Sequence, residues 1–156
     1  MNAPPRYQPH LIYLSELIVP IAKELGYSEN TEQVLTLVES LLGTICRIVP
    51  FSKAVQFFTP LPIPLQALIV ERWKVDHYFP PLLHSLPDLL NKIMHADEQA
   101  FSTDKTGTEL AKKTLLATMQ AVSNHVSPEK MKEIIDVFPT DAQERITVYI
   151  QMKQHH

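Results

Sequence analysis

The sequence predicts an all-α fold: a single compact helical bundle built from two tandem, pseudo-symmetric helical repeats. Three observations predict it. Apolar residues recur at helical spacing along most of the 156 residues. Helix caps and prolines punctuate that rhythm. Two stretches also align without a gap, Thr31 on Thr108 and Ile69 on Ile146.

The elements follow in order. Residues 1–10 hold three prolines and no apolar rhythm, and read as a flexible N-terminal arm. The helical domain spans 11–153. Leu14, Leu17, Ile18, Ile21 and Leu25 share one helical face, and Gly26 stands where a left-handed cap is expected. Pro20 predicts a kink in this helix, or two short helices, because it removes a backbone bond and clashes with the preceding turn. Asn30 and Gln33 have capping-box spacing and open a second helix. Its stripe is Val34, Val38, Leu41, Leu42, Ile45 and Val49, and Pro50 ends it. A short helix is expected from Ser52 to Phe58. After Pro60-Leu61-Pro62-Ile63, Pro64 suits a first helical position.

Residues 74–84 break the pattern at Pro80-Pro81, and a further helix is expected from about Leu86 to Ala100. Thr106 and Glu109 have capping-box spacing for a long helix reaching about His125. Ser127 is a cap with Pro128 at the first position, and Thr140 with Gln143 reads as one more box. Repeat 1 therefore covers 11–73 and repeat 2 covers 86–150, joined by a proline- and aromatic-rich connector over 74–85.

At the same register Glu32 meets Glu109, Val49 meets Val126, and Lys53 meets Lys130. Pro62 meets Pro139 and Gln66 meets Gln143. Apolar positions correspond too: Val38, Leu42 and Ile45 fall on Leu115, Met119 and Val122. A unit of about 60 residues buries surface poorly alone, so two units are expected to cover each other's apolar stripes.

Composition narrows function by exclusion. The net charge is −3 and evenly spread: residues 1–78 hold 6 basic and 7 acidic side chains, and 79–156 hold 8 and 10. No basic face emerges, so nucleic-acid binding is not expected. Three glycines, Gly26, Gly43 and Gly107, stand far apart, so neither a P-loop nor a Rossmann turn can be drawn. No window is apolar enough to span a membrane, and no secretory leader is read at the start. Cys46 is alone and forms no intramolecular disulfide, and cytoplasmic localisation is expected by default.

Candidate chemistry is sparse. Seven histidines occur without the paired spacing of helical metal sites; His95 and Glu98 share a face at i, i+3 and read as a solvated helix end. Cys46 reads as a buried, inert thiol, and its counterpart Ser123 is another small residue. No serine lies in a nucleophile elbow. No catalytic, metal or cofactor residue is assigned. The aromatic segment Trp73, His77, Tyr78 and Phe79 is the leading surface candidate, because Trp and Tyr bury large areas with few rotors. With Phe57 and Phe58 it forms the candidate interaction or pocket set.

Two pieces of the sequence resemble a known family. One is Leu61-Pro62, then Leu65, Leu68 and Ile69, ending in Trp73. The other is Val126-Ser127, a helix through Met131 and Ile134-Ile135, then Phe138-Pro139 and a final helix. Together they resemble the DUF2267 family of small bacterial helical proteins. The resemblance implies an all-helical two-repeat fold and no established activity.

The expected function is a non-catalytic helical module for protein interaction or self-association, with a homo-oligomer as one form. The alternative is a small-molecule or lipid-binding protein with an apolar pocket between the repeats, lined by Phe57, Phe58, Trp73 and Tyr78. An enzyme using His95 and Glu98 ranks third.

Overall fold

The computed structural model describes residues 12–72 and 83–154. Those residues form eight helices and no strand. They are α1 (Leu14–Leu25), α2 (Thr31–Ile48), α3 (Phe51–Phe58), α4 (Ile63–Arg72), α5 (Leu86–Ala96), α6 (Lys105–Ser123), α7 (Pro128–Ile135) and α8 (Thr140–Gln154).

The two long helices, α2 and α6, carry the core. Leu41, Leu42 and Ile45 of α2 and Leu115, Met119 and Val122 of α6 are fully buried. These two helices pack on each other, and each also meets both α1 and α5. Helix α4 packs on α2 and α8 packs on α6, while α3 lies against α7. Buried polar residues concentrate on the same pair: Ser40, Thr44, Thr114 and Thr118. Thr114 donates its hydroxyl to the Leu110 carbonyl at 2.7 Å. Among the described residues the hydroxyls of Ser40 and Thr118 have no partner.

Local signals explain most boundaries. Gly26 takes the left-handed conformation (φ 80°, ψ 19°), and the next amide, Tyr27, donates to the Ala22 carbonyl at 2.8 Å. Asn30 caps α2 by accepting the Gln33 amide proton, and its own side-chain NH₂ donates to Gln33 Oε1. Ser127 accepts from the Lys130 amide, and Pro128 opens α7.

Several boundaries depart from expectation. Helix α1 is one helix through Pro20 and not two short ones, and Pro20 lies on its exposed face, so the backbone bond it removes is not lost from the core. Helix α3 starts one residue early, at Phe51, and Pro64 is the second residue of α4. Helix α5 stops at Ala96, because Asp97 accepts the Ala100 amide and turns the chain. Helix α6 is capped by Asp104 through the Gly107 amide, not by Thr106. A carboxylate accepts an amide proton more strongly than a hydroxyl does. A methyl at Gly107 would lie 1.5 Å from the Ser102 carbonyl oxygen, so only glycine fits beneath this loop. The Thr140–Gln143 box is replaced by a different use of Gln143, described next.

Candidate functional site

Each proline-containing turn is held by a glutamine. Gln66 donates its side-chain amide to the carbonyls of Phe58, Thr59 and Leu61 at 3.2, 3.0 and 3.1 Å. Gln143 donates in the same way to the Phe138 carbonyl at 2.7 Å. These carbonyls are left without helical partners where α3 and α7 end, so the amide satisfies them in place of water. The backbone of the two turns also agrees. Leu61 donates to Phe58 and Phe138 donates to Ile135, at 3.1 and 3.0 Å. Gln66 donates to Pro62 and Gln143 donates to Pro139, at 3.1 and 2.9 Å. Asp141, beside the second turn, accepts the Leu86 amide proton with both carboxylate oxygens, at 2.8 and 2.9 Å. That contact fixes the start of α5 against α8.

Two clefts open beside these turns. The larger, about 410 Å³, lies between α7 and α8 and reaches the end of α6. Val126, Met131, Ile135 and Ile150 supply its apolar surface, with Lys132 and Asp136 among its polar residues. The second, about 310 Å³, lies where the 60–64 turn meets residues 125–130. Ile12, Leu61, Ile63 and Val126 line it, together with His125 and Lys130.

The residues singled out from the sequence fall as follows. Phe57 is fully buried and packs edge-on against Phe138, with ring centroids 5.7 Å apart and planes at 88°. Phe58 is half-buried. Trp73, His77, Tyr78 and Phe79 lie outside the described residues. His95 and Glu98 stand 3.7 Å apart and are both exposed. Among the described residues no three His, Cys, Asp or Glu side chains gather as a metal-ligand set. Sequence reasoning missed His125 and Lys130 as neighbours of the first turn, and Asp141 as an anchor for α5. It did register Gln66 and Gln143 as an identity at an offset of 77 residues, which was the available signal.

The electrostatics are mostly local. Burial pushes the Cys46 thiol up to about 12. Tyr149 is also pushed up to about 12, by burial first and then by Glu24, whose carboxylate also pairs with Lys153. The Lys92 ammonium and the His84 amide hold Asp88 below the usual carboxylate range. Asp104 is lowered by the Ser102 hydroxyl and the Gly107 amide. Among the described residues no helix is long and apolar enough to cross a membrane.

A family model described as an uncharacterized conserved protein (DUF2267) matches residues 15–144. That span takes in every helix from α1 to the first part of α8. The chain belongs to the DUF2267 family. No curated protein matches it. In this DUF2267 chain the family match contains both glutamine-held turns and both clefts' turn residues, while the last ten residues of α8 lie beyond it.

Proposed function

We propose that this DUF2267 protein is a duplicated helical unit that acts without catalysis, as a self-association module. Duplication is supported by the turns. The hydrogen bonds from Gln66 and Gln143, and the backbone bonds around them, recur with donor and acceptor both moved by 77 residues. Helices α3 and α7, and α4 and α8, begin at the same displacement. The packing partners correspond as well: α4 on α2 matches α8 on α6, and α1 against α6 matches α5 against α2.

The observation that carries the functional reading is a difference between the halves. Val55, Ile63 and Val70 are exposed at 40%, 77% and 61% on α3 and α4. Their counterparts on α7 and α8 are Lys132, Thr140 and Thr147. Under the duplication, polar residues suit these positions in the second half, and the first half keeps apolar ones there. Exposed apolar side chains on these two consecutive helices favour burial against a partner. A second copy is the occupant assigned. Helices α3 and α4 hold charged residues of mixed sign, Lys53, Glu71 and Arg72, and an isologous contact needs one self-complementary patch per chain. A cytoplasmic setting belongs to the same proposal and is supported by the free Cys46.

Sedimentation equilibrium over a concentration series tests this. The expected result is a reversible monomer–dimer equilibrium that Val55→Lys/Val70→Lys shifts fully to monomer. A wild-type chain of 17.8 kDa at every concentration would remove the reading.

A further inference from the structure

We propose that the cavity between the first proline turn and the α6–α7 junction binds a small organic anion with an apolar body, a short fatty-acid-type carboxylate. The cavity has a volume of about 310 Å³. That lies at the small end of the range for ligand pockets, roughly 300–1,000 Å³. It admits a chain of several carbons but not a whole membrane lipid. Its walls are apolar: Ile12, Leu61, Ile63 and Val126, with the rings of three prolines. Among the described residues its titratable lining consists of Lys130 and His125, and no carboxylate lines it.

Both side chains are available. Lys130 and His125 make backbone hydrogen bonds through their amides, but neither side chain has a partner among the described residues. An ammonium and an imidazole beside an apolar cavity, with no acid to neutralise them, select an anionic head over a neutral or cationic one. The apolar lining of this open cleft then covers part of the body of the ligand, which inorganic phosphate or sulfate lacks.

The second turn shows what the first is missing. Asp141 follows Pro64 by 77 residues, and its carboxylate holds the start of α5 through the Leu86 amide. The first turn has a proline in that place and brings no carboxylate. The start of α1, two residues after Ile12, has no side-chain cap. A bound carboxylate would stand beside Pro64, where the second half has the Asp141 side chain. This comparison rests on the duplication proposed above; the cavity, its walls and its unpaired donors do not.

Titration of the full chain with sodium octanoate, followed by two-dimensional NMR, is the test, with 1-octanol as the neutral probe. Saturable shifts are expected at Ile12, Ile63, Val126 and Lys130, with octanol at least several-fold weaker. Lys130→Gln is expected to weaken octanoate roughly tenfold, as loss of a charge-assisted hydrogen bond does. Lys130 is exposed, so its replacement leaves the melting temperature unchanged; His125→Gln serves as the second variant. Four results would overturn the assignment: no saturable shift at millimolar octanoate, equal binding of octanol, octanoate binding indifferent to both variants, or shifts confined to the α7–α8 cleft. None of these decides self-association: Ile63 belongs to both surfaces, and that reading is tested by sedimentation of the Val55→Lys/Val70→Lys variant.

Discussion

Gln56 of α3 donates its side-chain amide to the main-chain carbonyl of Glu133 in α7 at 3.0 Å, and the two residues are 77 positions apart. Under the proposed duplication they are the same position in two units. A contact between equivalent positions is what a twofold axis between the units produces. Phe57, the next residue, packs edge-on against Phe138, so polar and aromatic contacts join the same two segments. An edge-to-face pair of this kind is worth about 0.5–1.5 kcal/mol beyond its buried area.

The two turn glutamines are predicted to matter through the same bond type but unequally. Gln66→Ala leaves the carbonyls of Thr59 and Leu61 without the glutamine donor and that of Phe58 with the Leu61 amide alone, and Gln143→Ala removes the side-chain donor of Phe138. Partly exposed carbonyls recover some hydration, so losses of about 1–2 and about 1 kcal/mol are expected. Urea denaturation measures both. Either variant as stable as wild type would show that the amide is only a surface ornament.

Thr118→Val is predicted to stabilise the protein. Its hydroxyl is buried without a partner on α6, so the folded state carries a desolvation cost with nothing to offset it. A methyl of the same shape removes that cost, for a gain of about 1 kcal/mol. A lowered urea midpoint would mean that an internal water or a neighbouring group serves this hydroxyl.

Gly107→Ala is predicted to be the most damaging change outside the core. The added carbon would meet the Ser102 carbonyl at 1.5 Å, and backbone cannot yield as a side chain can. The 102–107 loop must move, which loosens the Asp104 cap. A loss of about 2–3 kcal/mol is expected from the overlap, with amide exchange accelerated at the start of α6. Unchanged protection there would contradict the geometry.

Cys46 is predicted to resist alkylation in the native protein and to react on unfolding. Its thiol is buried and pushed up to about 12, so the nucleophilic thiolate is suppressed at neutral pH. The linkage has a definite sign. The contribution is fully present below the unfolded value of 9.0, and it is lost as pH rises from there towards 12. Cys46→Ala should therefore reduce the fall in stability above pH 9 relative to wild type. Iodoacetamide labelling as fast in the native state as in urea would refute the burial argument.

Signals confined to a few residues of sequence were legible. Asn30, Ser127 and Gly26 each act on backbone within five positions, and their roles follow from residue type and spacing. The boxes at Thr106–Glu109 and Thr140–Gln143 had equally good spacing but lost to competitors. The Asp104 carboxylate took the Gly107 amide, and the Phe138 carbonyl took the Gln143 side chain. Spacing identifies groups able to meet, and the partner is then chosen by strength and reach. Asp141 with Leu86, and His125 and Lys130 beside Pro60–Pro64, join segments more than fifty residues apart. No local pattern records such meetings.

The most direct test of self-association through one face is a dipolar distance measurement between copies, in a Cys46→Ala background. A nitroxide is placed at Ala67, an exposed position on α4 between Ile63 and Val70, or at its counterpart Glu144 on α8. A short inter-copy distance is expected from position 67, a longer one from 144, and loss of both signals in Val55→Lys/Val70→Lys. No dipolar modulation from position 67, or a shorter distance from 144, would contradict self-association through this face.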